Sequence, residues 1–262
     1  METRSTARRK HSLQELTRAF GRAHRTASQQ MESSMPLLMH LEELRRRLFR
    51  ALAALVICTL ASFLFADKVI GFLSIPLGGK GALVSIEVTE NVAIFMRVSL
   101  LSGVVLGMPV VVYEALSFLM PGLKENERKW LLAGVGLASL LFVCGVAFTW
   151  FVLIPQAIPF LVNFLGITTQ IRPANYFEFI TRLMFWIGVS FEMPLVVFVL
   201  ARLKFVTARQ LLNGWRYAVV AIAIAAAGIT PTVDPVNMGL VMLPLGSLYL
   251  ISIVMAAVAN RD

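Results

Sequence analysis

Six apolar runs set what this chain can fold into. They lie at about residues 48–65, 92–116, 130–154, 179–201, 217–229 and 238–258. A hydrocarbon core about 30 Å thick takes about 20 helical residues at about 1.5 Å each. The first four runs meet that length. The fifth, ending before Thr230-Pro231, is short. Composition agrees: 58% of the 262 residues are apolar and 15% charged, against about 45–50% and about 25% in a soluble domain. Mean hydropathy is +0.76. These features exclude an ordinary cytosolic enzyme and predict an all-α polytopic membrane protein with six transmembrane helices.

Charge sets the orientation. Nineteen Lys and Arg fall in residues 1–50, 117–130, 202–216 and the tail, against three (Lys68, Lys80, Arg172) in the alternate loops. Both termini are therefore expected in the cytoplasm. The net charge of +9 reflects this topology rather than a nucleic-acid surface. Residues 1–39 read as a basic polar arm, 40–259 as the transmembrane domain and 260–262 as a short tail. The arm has no apolar stretch before a small-residue cleavage site, so it is not read as a secretory signal. Met31 and Met35 are alternative starts, and Arg8-Arg9, followed by Lys10, reads as ordinary basic sequence. Cys58 and Cys144 lie in apolar runs and read as buried side chains. The outer loops 66–91, with the turn Pro76-Leu77-Gly78-Gly79, and 154–178, with Pro155 and Pro159, are expected to form short interfacial helices.

No phosphate loop, GxGxxG, HExxH or GxSxG occurs. The histidines are His11, His24 and His40, all ahead of the first apolar run. The chain thus reads as having no catalytic residues, metal or cofactor, and as not being an enzyme. What stands out is acids in unusual places. Glu192 lies deep in the fourth run, where an ionisable group costs several kcal/mol unless hydrated or paired, and Pro194 adds a kink. Read that way, Glu192 as a proton or cation site would make the chain a secondary transporter. Glu114 lies near the inner end of the second run, within reach of water. Asp234 reads as an N-cap with Pro235 at the first helical position. Arg97 and Arg182 are expected to extend outward to the interface. Glu43 and Arg47 are spaced i,i+4, as an exposed helical pair would be.

Four segments together resemble the TatC family, the multi-spanning receptor subunit of the twin-arginine protein translocase. They are His40-Leu-x-Glu43-Leu-Arg45-x-Arg47, Phe118-x-x-Pro121-x-Leu123-x-x-x-Glu127-Arg128, Gly188-Val-Ser-Phe-Glu192-x-Pro194 and Thr230-Pro231…Asp234-Pro235. The resemblance covers about residues 36–258. It implies six helices forming a concave cup around Glu192, in the cytoplasmic (inner) membrane, with short fifth and sixth spans. It implies that Glu43 and Glu127 bind the two arginines of a signal peptide, with Phe118 on the same surface and Arg45 nearby, placed to orient Glu43. A guanidinium takes a carboxylate in planar bidentate geometry that lysine does not reproduce. Glu192 and Pro194 are implied in translocation or contact with a partner helix, and Asp234 and Pro76 in the outer loops. The implied partners are twin-arginine signal peptides of folded cargo, single-span TatA- and TatB-type subunits, further copies of the chain, and membrane lipid. The resemblance also implies transport driven by the protonmotive force and a partner helix at the fifth span. The chain departs from the family pattern at Glu114, where a neutral glutamine is common, and at Asn237-Met238, where a polar pair is common.

Overall fold

A computed structural model of the chain describes residues 40–119, 128–162, 171–230 and 234–260. All the regular structure among them is helical. An apolar run with no water to satisfy its backbone closes its hydrogen bonds internally, and the helix is the form that does so within one segment. α1 runs from His40 to Ser62 and breaks by 77° before α2, Ala66–Leu73. Successive i→i+3 bonds make the break: Phe63 N–H donates to Leu60 O, Leu64 N–H to Ala61 O and Phe65 N–H to Ser62 O. Short 3₁₀ turns follow at Ile75–Leu77 and Lys80–Ala82.

α3 is Glu90–Leu119. α4, Arg128–Phe148, passes through a π-helical turn, Thr149–Leu153, into α5, Ile154–Val162. The helix thus continues past the expected end of the third run at Ile154. Pro155 did not stop it, because the wide turn, closed by Ile154 N–H on Thr149 O, falls immediately before the proline ring and accommodates it. α6 (Pro173–Phe191) and α7 (Met193–Arg202) meet at Glu192. α8 is Ala208–Asn213, α9 Trp215–Ile229 and α10 Pro235–Ala259.

Four stretches are long and apolar enough to cross a membrane: 90–118, 133–162, 173–202 and 235–259. The bent α1–α2 pair is a fifth if it forms one span. α9, at 15 residues, is apolar but shorter. α10 has 25 residues, which corrects the implied short sixth span; among the described residues α9 is the apolar helix of intermediate length.

The chain divides into two compact units after Arg50. In the first, the described residues are the opening turns of α1. In the second, α3 packs on α4 and α6, α4 on α6, and α10 on α7 and α9. Phe142, Phe177, Ile180 and Ile187 are fully buried, whereas Leu64 and Leu243 are 90% and 74% exposed, as apolar side chains on a membrane protein's outer surface are expected to be. Lipid tails are as apolar as leucine, so close packing and polar contacts hold such helices together. Small residues supply that packing here. A Cβ on Gly103 would lie 2.6 Å from Thr59 Cα, and one on Gly145 would lie 2.9 Å from Gly188 Cα. Beside the first contact, Ser62 Oγ donates to Ser99 O at 2.7 Å.

Candidate functional site

On α1, Glu43 accepts both Nε (2.9 Å) and Nη2 (2.6 Å) of Arg47 on its Oε1. The i,i+4 spacing brings these side chains together. Arg45, two residues from Glu43, points elsewhere and is exposed. The expectation that Arg45 orients Glu43 is therefore corrected: Arg47 does. Phe118 is half-buried in the last turn of α3. Pro121, Leu123 and Glu127 lie outside the described residues. Glu114 is 6% exposed; it is buried in the fold rather than extending to water.

Glu192 sits at the junction of α6 and α7. Its own N–H closes a tight i→i+3 bond to Val189 O at 3.1 Å, and its carbonyl accepts Val196 N–H at 3.0 Å. Pro194, in the first turn of α7, has no N–H to give back to Ser190, which is why the ladder breaks here. The side chain is half-buried. Its Oε1 is buried with no hydrogen-bond partner among the described residues. Such an oxygen is a standing acceptor for water or for a donor on an incoming helix.

At the start of α10, Asp234 Oδ1 accepts Asn237 N–H at 2.7 Å, Oδ2 accepts Asn237 Nδ2 at 2.9 Å, and Pro235 follows in the first turn. Asp234 is thus an N-cap, and Asn237, 2% exposed, is the residue it holds. Thr230 closes the end of α9 through its N–H and Oγ1, both donated to Ala226 O. Pro76 opens the exposed 3₁₀ turn Ile75–Leu77, which ends at Gly78 with φ +89°.

One polar cluster has no counterpart among the sequence-based expectations. Glu90, 3% exposed, accepts Ala174 N–H at 2.7 Å, Ile86 N–H at 3.0 Å and Ser85 Oγ at 3.2 Å. Arg172 reaches Glu90 at 3.4 Å and Glu87 at 2.7 Å; the hydrogen bond to Glu87 holds its guanidinium above the ordinary arginine value. Arg97 pairs with Glu178 at 2.9 Å and donates to Ala174 O at 3.4 Å. The available signal was the surplus of acids facing Arg97 and Arg172 on the side poor in lysine and arginine.

Residues 39–244 match the model of the family described as Sec-independent protein translocase protein (TatC). The chain belongs to the TatC family. It is 38% identical over 222 residues to a chloroplastic Sec-independent protein translocase protein TATC of Arabidopsis thaliana, covering 84% of this chain and 65% of that protein. It is 35% identical over 235 residues to TatC of Deinococcus radiodurans, covering 86% and 87%. A crystal structure described as the twin arginine translocase receptor TatC superposes with a TM-score of 0.76 at 31% identity, covering 85% of this chain and all of that one. TatC is thus an all-helical membrane protein of protein translocation here as well. The TatC motifs fall at the head of α1, the end of α3, the α6–α7 junction and the cap of α10.

Proposed function

We propose that this TatC protein is the signal-peptide receptor and core scaffold of a twin-arginine translocase. It takes folded cargo by its twin-arginine motif at the cytoplasmic face, with Glu43 and Glu127 as the carboxylate acceptors and Phe118 and Arg45 on the peptide-facing surface. Six spans run through α1, α3, α4–α5, α6–α7, α9 and α10, with both termini in the cytoplasm and the chain in the inner membrane. Glu192, with Pro194 shaping its break, meets a donor from a TatA- or TatB-type helix. Asp234 and Pro76 shape the outer loops, and protonmotive force drives export.

The observation that carries this reading is the TatC match over residues 39–244 enclosing all four motifs. The Glu43–Arg47 pair supports it physically. The pair is half-buried and bonds through one carboxylate oxygen only; i,i+4 pairs contribute tenths of a kcal/mol, so a peptide guanidinium that offers bidentate geometry competes with Arg47 for Glu43. The test is binding of a twin-arginine signal peptide to the detergent-purified protein against a twin-lysine control, repeated with a TatB-type partner present. Arginine-selective binding that falls about tenfold in Glu43→Ala or Glu127→Ala is the expected result. Equal binding of both peptides, with and without the partner, overturns it.

A further inference from the structure

α9 is the one short apolar helix among the described residues, at 15 residues or about 22 Å. One end carries exposed Trp215 and Tyr217, with Arg216 stacked over Trp215 at 5.8 Å. This is the aromatic and basic signature of a membrane interface. With that end at one interface, the carbonyl end at Gly228–Ile229 falls about 8 Å short of the far side of a hydrocarbon core about 30 Å thick.

Arg182 lies at that buried level. It is nine residues into α6 from Pro173, about 13 Å along the axis. The Pro173 end carries the Glu90–Arg172–Glu87 cluster, which marks the aqueous surface. Arg182 is exposed and donates Nη2 to Gly228 O at 2.7 Å. The side chain reaches the carbonyl end of α9 and closes it. That bond uses one of five guanidinium donors. The acid one turn away, Glu178, is taken by Arg97, and among the described residues no carboxylate pairs with Arg182. One turn further in, Trp186 is exposed on the same face, with its ring packed edge-on against Phe185.

An uncompensated arginine about 13 Å below the surface, beside a helix end that lipid tails cannot reach around, calls for an anion from the interface. The phosphate of a phospholipid is present there at high density and fits the planar guanidinium fork. We propose that Arg182 binds a phospholipid headgroup phosphate, drawn down to the carbonyl end of α9, with Trp186 against the upper acyl chain. The proposal requires that the chain lie in a bilayer and is independent of the receptor reading.

The test is native mass spectrometry of the full chain in detergent. The probes are phosphatidylglycerol, a diacylglycerol with the same chains, and inorganic phosphate. Wild type retains phosphatidylglycerol and releases the diacylglycerol, and Arg182→Gln lowers retention about tenfold. Equal retention by Arg182→Gln overturns the proposal, as does equal retention of the diacylglycerol. Displacement of the lipid by an equal concentration of inorganic phosphate overturns the lipid as the source of the anion. A second measurement needs no variant: wild type in vesicles carrying a phospholipid with a photoreactive headgroup is digested and mapped. Adducts on peptides from α6 or α9 are expected, and adducts confined to other segments overturn the proposal.

Discussion

The carboxylate of Glu90 accepts the backbone N–H of Ala174 at 2.7 Å across 84 residues of sequence. With the Ile86 N–H and Arg172 on the same side chain, it ties the loop before α3 to the first turn of α6. Glu90→Ala removes the buried acceptor that these donors share, and is expected to lower the thermal unfolding midpoint in detergent by several degrees. Glu90→Gln keeps an acceptor oxygen and is expected to lose less. Equal midpoints for Glu90→Ala and wild type contradict the tie.

Gly103 and Gly136 form a matched pair of tests. At Gly103 a methyl group meets Thr59 backbone, and at Gly136 nothing lies within 4 Å. Gly103→Ala is expected to cost about 1–3 kcal/mol or more through overpacking. Gly136→Ala, in mid-helix, is expected to be neutral or stabilising. Chemical denaturation of both in one detergent checks the order.

Asp234 has two separable roles. Removing its cap in Asp234→Ala is expected to cost about 0.5–2 kcal/mol, whereas Asp234→Asn keeps the cap. If the carboxylate itself serves translocation, Asp234→Asn unfolds like wild type yet exports poorly. Normal export of twin-arginine cargo by Asp234→Asn leaves the residue with capping alone.

Glu192→Ala removes the orphaned acceptor at the α6–α7 junction. Because the residue lies inside a span and apart from the α1 acids in the chain, signal-peptide binding is expected to stay within about twofold of wild type. Export in cells carrying the partner subunits is expected to fall sharply. Full export by Glu192→Ala would sink the assignment.

The apolar runs made the helices legible, and the family motifs placed the acids. What escaped reading depended on contacts the sequence does not order. The break after Ser62 falls in Phe63-Leu64-Phe65, which contains neither proline nor glycine, so its i→i+3 bonds had no local signal. Pro155 suggested an end to the third helix, and the π turn that accommodates it is a backbone event without a residue signature. Glu90 lies just ahead of the second apolar run, and its main partner is an N–H 84 residues away, which no local pattern announces. Asp234 was the reverse case: a cap is a local bond between residues three apart, and its sequence pattern carries it completely.

At Gly145 and Gly188 backbone meets backbone. Where side chains separate two helices, rotamer changes let one slide past the other. A glycine crossing has no such layer, so the two axes are riveted at that point. One turn beyond the rivet, at Glu192, the helical ladder is cut. The rivet therefore couples α6 to α4, while α7, on the far side of the cut, packs against α10. The protein carries a fixed crossing beside a cut ladder, and the cut holds Glu192 with its buried Oε1.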